Sequence, residues 1–113
     1  GHAVGDKVLV AFTDICKKNL RDFDIFGRLG GEEFAILLPQ TETNNARILA
    51  ERLCSIVART DIEAEDKILR ITVSIGVSVL LSEEDSLDKM LRRADDAMYE
   101  AKRNGRNQVA VAL

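Results

Sequence analysis

The chain contains no tryptophan, one tyrosine, one proline, one histidine and two cysteines in 113 residues. Each scarcity excludes something. Cys16 and Cys54 lie far apart, each on the apolar side of a predicted helix. They read as buried free thiols in a reducing compartment rather than a disulfide or metal pair. The lone His2 reads as a structural hydrogen-bonding group rather than a ligand or base. No apolar run is long enough to span a membrane, and no signal peptide is visible. Basic residues are not in excess: 16 Lys and Arg face 19 Asp and Glu, for a net charge of −3. A nucleic-acid binder usually shows a basic patch, and none is evident. What remains, 46% hydrophobic and 31% charged residues, suits one ordinary globular domain.

Apolar residues recur at helical spacing in three stretches. The first, with Val8, Leu9, Phe12, Ile15 and Cys16, predicts a helix over about 5–20, with Gly1–Asp6 as a preceding loop and Asp6 as its cap. The second, from Ala46 to Val57, has Thr41, Thr43 and Asn44 available as caps. The third runs from Leu87 to Ala101, begins after Ser82–Ser86, and stops at Asn104-Gly105. Strands are predicted over 24–29, 33–38, 71–79 and 108–113. The strand over 71–79 is the clearest, with Ile71, Val73, Ile75, Val77 and Val79 alternating with small polar residues. Thr60 to Lys67 reads as a polar connection. The order α-β-β-α-β-α-β predicts an α+β fold, with helices packed on a mainly antiparallel sheet.

The chemistry concentrates at Gly30-Gly31-Glu32-Glu33, between the first two strands. Glycines permit a tight turn and close backbone approach. Glu32 and Glu33 offer the hard oxygen ligands that Mg²⁺ takes alongside substrate phosphates. On these residues alone, a metal site and a plain solvated hairpin tip stay equally open. Lys102 and Arg106 flank the third helix stop and suit one anion, although cations also favour helix C-termini for dipole reasons. Arg21 and Asp24 suit either a clamp on guanine and phosphate or a surface ion pair, and Arg52 has the same status. Tyr99 reads as packing rather than catalysis.

Taken together, four segments resemble one family. Gly1 to Asp6 is similar to a GHxxGD segment. Arg28 to Phe34 is similar to RxGG(D/E)EF, and Val73 to Val77 to an SIGV strand. Ala94 to Lys102 with Gly105-Arg106-Asn107 is similar to ADxAxYxAKxxGRN. These segments, in this order and spacing, resemble the diguanylate cyclase (GGDEF/GGEEF) family over nearly the whole chain. The resemblance implies a ferredoxin-like, nucleotide-cyclase palm-like fold. It also implies condensation of two GTP into cyclic di-GMP with release of two pyrophosphates. Each subunit of a homodimer would hold one GTP, and each ribose 3′-hydroxyl would attack the other α-phosphate.

By motif, Glu32 would bind Mg²⁺ or Mn²⁺ and assist deprotonation, and Glu33 would support the site. Gly30 and Gly31 would admit the nucleotide, Asp6 would bind the guanine edge, and Lys102 and Arg106 would hold phosphates. Arg21 and Asp24 match an inhibitory RxxD motif that binds the product, with Arg52 as a secondary arginine. The rival readings are a cyclic di-GMP sensor acting through Arg21 and Asp24, and a cyclase of different purine preference.

The family pattern begins upstream of Gly1. Residues 1–113 are therefore expected to be a partial domain, lacking the first helices and a first, central strand that carries the other metal aspartate, and with them a lysine and an asparagine that help bind phosphate and guanine. Such a piece is expected to be inactive alone and prone to pair strand edges or exchange segments. Its parent would be a bacterial signalling protein with the domain in the cytoplasm, no membrane contact by the domain, and any membrane anchor upstream.

Overall fold

The computed structural model describes residues 2–112, excluding the side chain of His2. The readings placed on Gly1, on the His2 side chain and on Leu113 lie outside the described residues. The chain packs as two compact units. One takes in the residues up to Thr41 with Asp61–Leu69, and the other Glu42–Thr60 with the residues from Arg70 onward. No helix among the described residues is long and apolar enough to cross a membrane.

In the first unit, α1 spans His2–Lys18. The expected loop before residue 5 is helix instead, and Asp6 sits inside α1 rather than capping it. Val4 explains the difference. It extends the stripe of Val8, Ala11, Phe12 and Ile15 back by one turn, all of them at least half-buried. One interior glycine, Gly5, costs about 1 kcal/mol, less than such a stripe gains on burial.

Strands β1 (Ile25–Gly30) and β2 (Glu33–Leu37) form an antiparallel hairpin. Its register runs from Ile25 opposite Leu37 to Arg28 opposite Phe34, then slips so that Gly30 faces Glu33. Leu29 is the extra residue of this bulge and is 59% exposed. Phe12 of α1 meets Phe34 with ring centroids 5.0 Å apart, and Phe26 lies 5.3 Å from Phe34. These three rings tie the helix to both strands.

A second hairpin, β3 (Ile62–Ala64) with β4 (Lys67–Leu69), replaces the polar connection expected over 60–67. Ile62 and Ala64 are buried, and β3 packs with α1. Glu65 and Asp66 turn the chain with φ of 48° and 64°. Both central residues have positive φ, as in the type I′ turns normally built from Asn-Gly.

In the second unit, α2 spans Thr43–Ala58 and buries Ala46, Ala50, Leu53, Cys54 and Val57. Its N-cap is Glu42, with no side-chain cap bond. Two of the expected cap residues are engaged otherwise: the Thr41 hydroxyl donates to Pro39 O, and Asn44 Oδ1 accepts from Arg47, while Thr43 is the first residue of the helix. Helix α3 spans Leu87–Arg103 and is capped by Ser86, whose Oγ accepts from Lys89 N at 3.2 Å.

Strands β5 (Ile75–Val77) and β6 (Val109–Val111) pair in parallel, joined through α3 as a crossover. Of the three ladders among the described residues, two are antiparallel and this one is parallel. Only three residues of the alternating stretch 71–79 form strand, because the partner β6 is three residues long. Both helices pack on this pair. Helix α3 comes down onto Gly76, where a Cβ would lie 2.5 Å from Met98 N. Tyr99, expected to pack, is 61% exposed, with the Arg103 guanidinium 5.9 Å from its ring centre. It falls between the stripe positions Met98 and Ala101, on the outer side of α3. Cys16 and Cys54 are buried and free, as read from their positions.

Candidate functional site

The tip of the β1–β2 hairpin is open. Gly30 has φ of 153° and Gly31 of 53°, and a Cβ on either would meet nothing within 4 Å. Neither glycine is therefore required for packing inside the chain. Gly31 is needed for its left-handed backbone, and together they leave clear space over the turn. Glu32 and Glu33 are exposed and have no side-chain partner among the described residues. An unpaired carboxylate pair beside bare backbone suits a hard cation that brings its own phosphate oxygens and water. No group of three or more acids, histidines or cysteines gathers around one point among the described residues. A cation here would take one or two protein carboxylates at most.

One side chain braces this tip. Arg28 donates from Nε and Nη2 to Gly31 O, at 2.9 and 2.6 Å. No role was assigned to it from sequence. The signal available was its fixed place three residues before Gly31, within hydrogen-bonding reach across a tight turn.

Arg21 and Asp24, in the loop between α1 and β1, form a closed clasp rather than a loose surface pair. Arg21 N donates to Asp24 Oδ2 at 2.8 Å, and Arg21 Nη2 donates to Asp24 Oδ1 at 2.9 Å. The same Nη2 donates to Thr41 Oγ1 at 2.7 Å. The guanidinium lies 4.5 Å over the Phe23 ring, a cation–π arrangement. The Asp24 side chain is 1% exposed, whereas that of Arg21 is 48% exposed. The Arg21 hydrogen bonds hold the Asp24 carboxyl below the usual carboxylate range. The clasp thus presents a preset guanidinium to solvent. Arg52, from the second unit, is exposed on α2.

At the end of α3, Arg106 N donates to Ala101 O at 2.9 Å, closing the helix through Gly105 at φ of 117°. Arg106 and Asn107 follow with φ of 63° and 49°, unusual for residues bearing a Cβ. Lys102 is half-buried in the last helical turn and Arg106 is exposed just beyond it. Both stand at one helix C-terminus, on either side of its closing bond. Asn107 Oδ1 accepts from Cys54 Sγ at 3.5 Å, tying this loop to α2.

Asp6 is exposed on α1 and lines a shallow depression of about 390 Å³ with Lys7, Asp14, Asp61, Ile62 and Glu63. The wall opposite α1 is the β3 strand that the sequence reading missed.

A family model described as diguanylate cyclase, GGDEF domain, matches residues 1–108. Diguanylate cyclase A of Treponema denticola is 40% identical over 112 residues, which take in 99% of this chain and 30% of that protein. The active GGEEF domain of a diguanylate cyclase from Vibrio cholerae matches with a TM-score of 0.90 and 34% identity. That match covers 100% of this chain and 71% of the other. The GGDEF domain of DgcB from Caulobacter crescentus, solved in complex with c-di-GMP, matches with a TM-score of 0.91 and 29% identity, over 99% of this chain and 67% of the other. The chain thus spans less than a third of its Treponema relative. The α+β fold, the four motifs in order and these matches agree, and the chain belongs to the diguanylate cyclase GGDEF domain family.

Proposed function

We propose that this domain condenses two GTP into cyclic di-GMP, releasing two pyrophosphates, as part of a signalling protein. The observation that carries the reading is the hairpin tip. Two exposed carboxylates, Glu32 and Glu33, with no side-chain partner among the described residues, adjoin two glycines with open space above them. Mg²⁺ or Mn²⁺, when bound there, would polarise phosphate oxygens and lower the pKa of a coordinated hydroxyl.

Within this reading, Glu32 holds the cation and favours loss of the attacking 3′-hydroxyl proton, and Glu33 supports it. Gly30 and Gly31 let the nucleotide approach the backbone. Asp6 accepts hydrogen bonds from the guanine edge. Lys102 and Arg106 neutralise phosphate charge, which is most of what phosphoryl transfer asks of a protein. Two GTP meet through a homodimer, one per subunit. Arg21 and Asp24, with Arg52 as a secondary cation, bind cyclic di-GMP and restrain the enzyme. The exposed face of the Arg21 clasp supports that role, since a guanidinium grips a phosphate with two parallel bonds.

The test is to incubate the intact protein with GTP and Mg²⁺ and follow both products. One cyclic di-GMP should appear for every two pyrophosphates. Tight binding of cyclic di-GMP with no turnover of GTP would instead identify a sensor acting through Arg21 and Asp24.

A further inference from the structure

We infer that Arg28 is a positioning residue: its guanidinium fixes the Gly31 carbonyl and so sets the direction in which Glu32 and Glu33 leave the hairpin. The inference rests on the cyclase reading for its catalytic consequence, but its structural part stands alone.

The reasoning starts from the two glycines. Gly30 and Gly31 have no Cβ, and a Cβ built on either would meet nothing within 4 Å. A Gly-Gly turn in open space has unusually many backbone conformations available. The register also breaks at this point, where Leu29 is left unpaired between Arg28 and Gly30. The last ladder pair before the turn, Gly30 opposite Glu33, therefore begins from an irregular strand. Left to its backbone, such a tip would sample several directions.

Arg28 removes that freedom. It is the last regularly paired residue of β1 before the bulge. Two of its N–H groups converge on one acceptor, the Gly31 carbonyl. A fork-shaped donor on a single oxygen restrains distance and angle together. No other side chain among the described residues bonds to the turn formed by Gly30 to Glu33. The carbonyl it grips belongs to the peptide that continues into Glu32, so fixing it fixes the departure of that carboxylate. Reacting groups displaced by about 1 Å lose on the order of a hundredfold in rate. An arginine that touches only backbone can thereby act on catalysis.

The test uses the intact protein with Arg28→Ala and Arg28→Lys. Four quantities are read: amide hydrogen exchange over residues 29–34, the melting temperature, and kcat and KM for GTP with Mg²⁺. Losing a charge-assisted bond of this kind should speed exchange at the turn by roughly tenfold to a hundredfold in Arg28→Ala. The melting temperature should fall by roughly 5–15 °C, with unfolding still a single cooperative step. The value of kcat should fall by roughly ten- to a hundredfold and KM should move less than about threefold. Arg28→Lys keeps one donor and should recover part of both the protection and kcat. Unchanged exchange at the turn would overturn the inference, as would a rise in KM with kcat intact, which would make Arg28 a substrate contact. If the unsubstituted protein makes no cyclic dinucleotide, the cyclase reading falls, and the exchange measurement still decides whether Arg28 holds the turn.

Discussion

Gly76 lies directly beneath the backbone of Ala94: a Cβ at position 76 would come within 1.9 Å of Ala94 O. Helix α3 reaches this depth because its facing residues are small, with Ala97 and Ala101 buried. The obstacle is helix backbone, which cannot rotate aside as a side chain can. Gly76→Ala should therefore force α3 off β5 and destabilise the protein by about 3 kcal/mol or more, at the upper end of overpacking effects. Urea denaturation would measure it. A midpoint within error of the unsubstituted protein would show that α3 can shift at little cost.

The Asp85–Arg93 pair should make stability depend on acid pH. Asp85 accepts from Arg93, from Leu81 N at 3.0 Å and from Ser86 N at 2.9 Å. The Arg93 hydrogen bond foremost holds its carboxyl far below the ordinary range. A depressed folded-state pKa stabilises the fold above the unfolded value of about 4, and that stabilisation fades as pH falls towards the folded value. Arg93 also donates to Val79 O at 2.8 Å, so the pair anchors the chain leading into α3. Asp85→Asn should lower stability at neutral pH and flatten its fall between about pH 4 and pH 2. Parallel stability curves for the two proteins would refute the assignment.

Arg21 and Asp24 should matter to the product rather than only to the fold. Calorimetry with cyclic di-GMP should show affinity falling at least about tenfold in Arg21→Ala, the size of a lost charge-assisted contact. Asp24→Ala should weaken binding as well, because it releases the guanidinium that the clasp holds in place. Unaltered affinity in both variants would leave the pair as a loop fastener.

Glu32 and Glu33 should separate by role. Glu32→Gln preserves shape and removes charge, so GTP turnover should fall by roughly a hundredfold to ten-thousandfold with either Mg²⁺ or Mn²⁺. Glu33→Gln should cost less. Full turnover in Glu32→Gln, followed by pyrophosphate release, would remove Glu32 from the metal.

The features legible in the sequence were those set by local chemistry. Gly30-Gly31 could only be a turn, Asn104-Gly105 could only be a helix stop, and Cys16 and Cys54 followed the apolar stripes into the interior. What escaped depended on partners elsewhere. The β3–β4 hairpin was hidden because Glu65 and Asp66 adopt positive φ without the usual Asn-Gly. The extent of β5 is set by β6, more than thirty residues on, so alternation over 71–79 overstated it. The start of α1 was masked by Gly5, although Val4 already carried the helical period. The tip motif singled out Glu32 and Glu33 as candidates but not the bracing by Arg28, because a side chain bonding a carbonyl three residues ahead leaves no mark in composition or periodicity.

The two thiols offer an internal clock for opening. Cys16 belongs to the first unit and Cys54 to the second. Burial pushes the Cys16 thiol up to about 11, and burial with the nearby Glu51 charge raises that of Cys54. Both are therefore almost entirely protonated at neutral pH and shielded from reagents in the folded protein. Alkylation at either site must wait for its surroundings to loosen. The labelling rates of Cys16 and Cys54, measured side by side, thus report how often each half of the molecule breathes, with no probe to be engineered in.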